Sequence, residues 1–527
     1  MAKLDDVNTR DILAAIRLGC RAMSSAFDAD DNDTPFFGVV VRPEVRMSFS
    51  SGVSEAHVPG RHLNALLNAE DATGVRIDED AVDKHTRAAF FSYSGAIPLP
   101  LNRTEIGGPL VNFNSHNIRE GFHALYPLVK YRNSARARKL AEASIAAIFA
   151  YWDPVKDWDD DRLEGEKELS VAREGAFISG VARTIGPLVK YYRTTRYGPA
   201  LELAIILKEK AIDEVFAEDG SYDADRFGTH NHSTTCVMSS LAQLADLTCD
   251  ANLMHRVKAF YDNGLWELRD ELGWSIETSR TEGNSARGEV NNTGDILETA
   301  LLLGRWGYPQ YYHDAERILR CHLLPSQLCD VSWIEEPPNP EGVDGKRDVA
   351  NRLRGAFGFP APYGHAPINV MTSNKPRIGF NMDIVGGTVG SLCEAYREVT
   401  RFKTSGHWVN LFFDHETPEI RVESPYTHPA LRIRLKRPGP LFVRIPPWVD
   451  RQRMEINGVD GTSRHTNGYL FIPQPPINRR ISIVYPLSIQ EITLQNPDGP
   501  IRARLRGDEV MAMDNLGADL TFFDPID

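Results

Sequence analysis

Residues 125–145 read LYPLVKYRNSARARKLAEASI, and residues 185–205 read IGPLVKYYRTTRYGPALELAI. The two share PLVKY at an offset of about sixty residues, and a repeat with a period of tens of residues points to stacked supersecondary units. Each copy runs from apolar residues at i, i+3, i+4 and i+7 through a short polar or Gly/Pro break into a second amphipathic helix. Outward from this pair the same phase recurs in LNALLNAEDATG at 63–74, SSLAQLADLTCDANLMHRVKAFY at 239–261 and TALLLGRWGYPQYYHDAERILR at 299–320. A degenerate sixth unit begins at Gly390 with GSLCEAYREVTRF. A helical pair cannot bury its apolar face alone, so successive pairs must stack. Six pairs with long connecting loops predict a closed ring of inner and outer helices, whose loops at one end form a concave bowl suited to a ligand.

After about residue 405 the period becomes two. HWVNLFF, EIRVES, LRIRLK, LFVRIPPWV, YLFIP and ISIVYPL alternate apolar and polar residues between turn signals such as the Asn-Gly pairs at 457–458 and 467–468. This predicts a compact antiparallel sandwich. The expected fold is therefore mainly α with a β domain, an (α/α)6 toroid followed by a C-terminal antiparallel β-sandwich. Its divisions are an N-terminal segment at 1–60 with a short β-hairpin from FFGVVVRP and VRMSFS, the toroid at 61–404 and the sandwich at 405–527.

Composition narrows the function classes. The 527 residues carry 59 Lys plus Arg against 72 Asp plus Glu, a net charge of −13 that repels nucleic acid and anionic membranes. The N-terminal MAKLDDVNTRDILAAIRLGCRAM lacks the apolar core of a secretory signal, and no apolar run reaches the length of a membrane span. Six cysteines without a CxxC pair suit a reducing compartment. The expectation is a cytoplasmic enzyme with no nucleic-acid or membrane partner, no cofactor and room for a homo-oligomer. No Walker loop, Rossmann fingerprint or GxSxG elbow stands in a fitting context.

Three polar clusters fall where the bowl is expected. The first, WSIETSRTEGNSARGEVNNTGD at 274–295, holds Glu277, Glu282, Arg287, Glu289, Asn291, Asn292 and Asp295. Glycoside hydrolysis needs one carboxyl kept protonated and another ionised, and clustered carboxylates beside an Arg can separate their pKa values in that way. The second, THNHSTT, carries His230 and His232, which could meet a ligand, shuttle protons or bind a metal, although with Cys236 they form no recognised metal spacing. The third, NFNSHNIREGF, carries Asn114, His116, Asn117, Arg119 and Glu120, residue types that a polysaccharide lyase uses to neutralise a uronate and remove its α-proton. For all three the plain alternative is helix capping and surface polarity. Further rim candidates are His57, Arg61, Arg173, Glu174, Asp383, and Tyr363 and His365 of AFGFPAPYGHAP. Trp274, Trp306, Tyr308, Phe357 and Phe359 could stack on sugar rings.

The run LFVRIPPWV, INGV, NGYLFIP and ISIVYPL, with FDADDNDTPFFGVVVRP, GRHLNALL and GDILETALLLGRWGYPQYYHDAERIL upstream, is similar to the superfamily of the β-L-arabinofuranosidases, glycoside hydrolase family 127. The resemblance spans nearly the whole chain and implies the toroid and sandwich. It also implies a zinc site built from a Glu-Thr-Cys triplet and a Cys-Cys pair that supplies a cysteine nucleophile. Here the corresponding stretches read Asn292-Thr293-Gly294 and Gly386-Gly387, so that chemistry is not expected. Glu277 falls close to the family's acid/base. The resulting expectation is a metal-independent hydrolase of small plant or microbial oligosaccharides, with Glu277, Glu289, His230 and His116 as its catalytic set. The alternatives are a lyase on uronate-containing glycans and a non-catalytic sugar-binding relative.

Overall fold

The computed structural model describes residues 2–4, 11–172, 177–279, 287–367, 377–496 and 499–526. Twelve longer helices dominate its first three quarters. They are α1 (Ile12–Ser24), α2 (Val58–Thr73), α3 (Glu79–Ser92), α4 (Ile118–Arg132), α5 (Ala135–Tyr151), α6 (Ile185–Thr195), α7 (Gly198–Glu214), α8 (Asn231–Thr248), α9 (Ala251–Asp262), α10 (Val290–Arg305), α11 (Gln310–Ile318) and α12 (Met382–Glu398). The even-numbered helices pack each on the next, and α12 returns to α2, closing a cycle. Each odd-numbered helix from α3 to α11 lies against the even one before it, and α1 against α12 and α2.

Local chemistry accounts for the repeated hairpin. Helices α2, α4, α6 and α8 end in residues with left-handed backbone, Gly74, Asn133, Arg196 and Cys249, where the chain reverses. Asn133 and Cys249 are followed at once by the N-caps Ser134 and Asp250, whose side chains accept from the first-turn amides of α5 and α9. Inner helices are buried nearly all round, as α8 is from Asn231 through Ser240, whereas the outer α7 buries one apolar stripe.

The sixth inner helix begins at Met382 rather than at Gly390. Its first turns, MDIVGG, lack the apolar spacing on which the sequence reading relied. A hairpin of β1 (Gly38–Arg42) and β2 (Arg46–Ser48) gains a third strand, β3 (Ile378–Asn381), just before α12, which ties the chain's start to the last helix of the ring.

Strands β4 (Thr400–Lys403), β5 (Gly406–Val409), β6 (His415–Glu416), β7 (Ile420–Glu423), β8 (Leu431–Leu435), β9 (Leu441–Arg444), β10 (Glu455–Asn457), β11 (Arg464–Thr466), β12 (Tyr469–Ile472) and β13 (Arg480–Val484) form two five-stranded sheets. Their orders are β4-β5-β9-β12-β11 and β6-β7-β8-β13-β10, and a separate apolar core lies between them. A last sheet, β14 (Ile489–Leu494), β15 (Ile501–Arg506) and β16 (Glu509–Met513), sends Leu494, Ile501, Ala503 and Leu505 into the ring's core instead. Ring and sandwich also share a buried ionic knot. Glu316 of α11 accepts from Arg320 and from Arg444 of β9, and all three side chains are almost fully buried. Among the described residues no helix is long and apolar enough to cross a membrane.

Candidate active site

The six inner helices all begin at the same end of the ring. Their N-caps are His57, Asn117, Thr184, His230, Glu289 and Asn381, so the first turns converge on one bowl. Helix N-termini present unsatisfied amides and a partial positive charge, which favours carboxylates there.

At the floor lies Glu120, with no exposed side-chain surface. Its Oε1 is 3.0 Å from Arg61, Arg119 and Arg183 and 3.7 Å from His57. Burial opposes ionisation, yet Arg183, His57, Arg61 and Arg119 together hold the carboxyl well below its usual range. His57 is fixed from both ring nitrogens, Nδ1 at 3.0 Å from Asn117 Oδ1 and Nε2 at 3.2 Å from Asp383 Oδ2. Asp383 is buried, but its hydrogen bond to His57 and the nearby Arg61 lower its pKa. Its Oδ1 is buried and has no hydrogen-bond partner among the described residues.

Imidazoles line the bowl. The His57 and His116 rings stack with centroids 5.6 Å apart, His116 and His230 follow at 5.3 Å, and His230 and His232 at 5.8 Å. His116 is held by the Ser179 carbonyl and His230 by Ser233 Oγ, each at 2.8 Å. His232 Nε2 is 3.3 Å from both Asp295 and Arg61. Burial, assisted by neighbouring arginines, keeps His116, His230 and His232 neutral.

Glu277 and Glu289 adjoin His230 and His232, with His232 Nδ1 3.7 Å from Glu289 Oε1. The segment around Glu277 is pinned as a ribbon, because Asn231 N donates to the Glu277 carbonyl and Glu277 N to the Arg287 carbonyl. The amides of Asn231 and Asn292 both donate to the Ile276 carbonyl. Burial raises Glu277 to about 7 against the pull of Arg287, which lies 2.7 Å away but out of line for a hydrogen bond. Burial, with the charges of Glu277 and Asp383 added, raises Glu289 to about 8, and its Oε1 accepts from Asn291 Nδ2 at 3.0 Å. Asp295 is raised to about 6 by burial. Arg287 lies over the Phe359 ring at 3.9 Å.

The structure thus brings together Glu277, Glu289, His116, His230, His232, Arg119, Arg287, Asp295 and Asp383, with His57, Arg61, Asn117, Glu120 and Asn291. Other candidates lie elsewhere. His365 has no exposed surface and packs on His322 and Phe523, so it is not on the rim. Trp274 is buried, its Nε1 donating to the Pro360 carbonyl, and it supports the ribbon rather than a sugar. Asn292 is fully buried and spends its amide on Ser275 and Ile276. Asn114 caps its own turn by accepting from His116 N. Tyr363, half-buried, packs against the ring's core, as does Trp306, while Phe357 and Phe359 belong to that core. Tyr308 is exposed beside Tyr311. Glu282, Arg173 and Glu174 lie outside the described residues. Arg183, in the short turn Val181–Thr184 just before α6, was missed by the sequence reading.

No family model matches the chain, and no curated protein does. Solved structures do. A β-arabinofuranosidase of glycoside hydrolase family 127 superposes with a TM-score of 0.55 at 13% identity, over 96% of this chain and 81% of that one. The family 127 β-L-arabinofuranosidase of Geobacillus stearothermophilus T6 gives 0.55 at 12%, over 94% and 80%. A further glycoside hydrolase gives 0.53 at 12%, over 86% and 76%.

The chain has the fold of the family 127 enzymes.

The sequence resemblance is borne out at that level, and the glycines can be tested in the folded protein. A Cβ added at Gly387 would overlap Asn291 Oδ1, and one at Gly386 would lie 2.7 Å from the Arg61 carbonyl. The residue facing the glycine pair is therefore Asn291, next to the triplet that begins at Asn292. A cysteine at 386 meets the backbone of α2 and one at 387 requires the Asn291 and Arg61 side chains to move, so the residues present do not suit the zinc-thiolate centre that the resemblance implies. A different donor set, His230, His232 and Glu289, has its ligand atoms within 4.8 Å of one another. A cation there would compete with the proton on Glu289 and with Arg61 beside His232.

Proposed function

We propose that the chain is a glycoside hydrolase, built as an (α/α)6 toroid with a β-sandwich, that cleaves small oligosaccharides with its own carboxyl groups. One observation carries the reading: Glu289 is held protonated toward pH 8 within electrostatic reach of Asp383, which His57 and Arg61 hold ionised. Two carboxyl groups with pKa values driven apart are what acid/base cleavage of a glycosidic bond requires. Glu289 donates its proton to the leaving oxygen. Asp383 acts as base or nucleophile. Glu277 shares the proton with Glu289 and keeps it on the pair at neutral pH. The neighbouring folds, two of them β-arabinofuranosidases, support a carbohydrate substrate.

Aryl glycosides of several pentoses and hexoses test the reading. Release of the aryl group that disappears in both Glu289→Gln and Asp383→Asn supports it, and azide rescue of the Asp383 variant would assign that residue as nucleophile. Retained turnover in both variants would remove the assignment.

A second reading rests on the neutral imidazoles of His116 and His230, beside Arg61, Arg119 and Arg183. That set could remove the α-proton of a uronate and hold its carboxylate. A product absorbing in the near ultraviolet, lost in His116→Ala or His230→Ala, would favour elimination over hydrolysis.

A further inference from the structure

The outward face of the second sandwich sheet carries an arrangement that folding alone disfavours. Along β7, β8 and β13 the inward residues Ile420, Val422, Ile433, Leu435, Ile481 and Ile483 fill the sandwich core. The alternate positions face solvent. Register places Arg421 of β7 opposite Arg434 of β8, and Arg434 opposite Arg480 of β13. Three arginines thus stand side by side across three adjacent strands, about 4.8 Å apart at the backbone. Like charges directly opposite on a sheet are destabilising.

Local carboxylates leave much of this charge uncompensated. Glu416, opposite Arg421 at the sheet's edge, is engaged by Lys436 at 2.7 Å and lies 4.0 Å from Arg421. Glu423, in the next row, is shared between Arg421 at 3.1 Å and Arg432 at 3.4 Å. Among the described residues neither Arg434 nor Arg480 has a carboxylate within ion-pair distance. The contrast with the last sheet is direct. There Arg502, Arg504 and Arg506 each have a carboxylate of their own, Asp514 at 3.0 Å, Glu491 at 2.7 Å and Glu509 at 2.5 Å. The row also encloses a concavity of about 90 Å³ between Arg421, Glu423, Arg432, Arg434 and Arg480. In a chain of net charge −13, such a face is a local exception.

We propose that this row is a binding surface for an acidic glycan, a chain of uronate-bearing sugars whose carboxylates pair in succession with Arg421, Arg434 and Arg480. Guanidinium groups match carboxylates in a two-point fork, and a line of them across strands suits an extended polymer better than a single small anion. The overall negative charge opposes a densely charged nucleic acid at long range. The choice of a glycan among polyanions rests on the carbohydrate reading of the bowl; the binding of anions by the row does not.

The test uses the full chain and polygalacturonate as probe, with its fully methyl-esterified form as neutral control, in affinity electrophoresis and titration calorimetry. The wild type should bind the acid form, bind it more weakly as salt rises, and ignore the ester. The double variant R434Q/R480Q should lose at least ten-fold in affinity, with its melting temperature unchanged or raised because repulsion has been removed. E289Q should bind like the wild type, which separates this surface from the fate of the hydrolase reading. Equal binding of the ester, unchanged affinity in R434Q/R480Q, or tighter binding of duplex DNA at matched charge would each overturn the proposal.

Discussion

Glu289 stands at the N-terminus of α10 and Asp383 in the first turn of the neighbouring α12, with opposite protonation preferences, and that asymmetry has consequences at the level of single residues. Glu289→Gln should lower kcat by about 10²–10⁴-fold with the melting temperature preserved, since an amide keeps the shape and loses the proton. Glu277→Gln should do the same if the two glutamates act as one acid, and steady-state kinetics on an aryl glycoside would show it. Near-normal turnover in both would transfer the chemistry to the histidines. The pH profile has a fixed sign. Activity needs the proton on the Glu277–Glu289 pair, so kcat/KM should fall as pH rises through about 7 to 8, the values to which burial lifts the two carboxyls. The same proton links to stability. Glu289 binds it up to about 8 in the folded chain but only to 4.5 when unfolded, so stability is full below 4.5 and is lost as pH rises through that window. Melting temperatures between these limits should therefore fall more steeply in the wild type than in Glu289→Gln. Metal analysis should find no stoichiometric zinc, and a chelator should leave turnover unchanged; zinc-restored activity would contradict the reading of Gly386 and Gly387.

At the scale of elements, the close crossing of α2 and α4 sets the site. A Cβ on Gly60 would overlap the Glu120 carbonyl, so Gly60→Ala must push the two helices apart. Overpacking of this kind costs about 1–3 kcal/mol. Because His57 and Arg61 ride on α2 and Glu120 on α4, the variant should lose activity together with melting temperature, read by enzyme assay and calorimetry on one sample. The same helices explain what the sequence disclosed. PLVKY and the breaks at Asn133 and Arg196 were legible because the far halves of the inner helices are apolar and end in a left-handed residue. The near halves were not: NHSTT of α8 and VNNTGD of α10 were expected in polar stretches ahead of their helices, yet they are buried helical turns. Glu277, Glu289 and Asp383 could be singled out by type and position. His365 was misplaced because a histidine between Gly364 and Ala366 looks like a loop residue, whereas the chain turns it inward with a positive φ.

For the whole molecule, the knot of Glu316, Arg320 and Arg444 makes ring and sandwich interdependent. Removing one partner of a buried ionic group costs about 3–5 kcal/mol. Glu316→Ala should lower a single calorimetric transition rather than split it, and limited proteolysis of the wild type should release no stable pair of fragments cut near residue 405. Two resolved transitions would argue for tethered modules. The convergence of six helix N-termini has a wider consequence. Every group assigned to the chemistry lies near the N-terminal end of an inner helix or in the ribbon laid across those ends, while the hairpin turns that hold the ring closed lie at the other end. Inheritance can therefore act on the two ends separately. A residue at the bowl end can change without disturbing the turns that close the ring at the other.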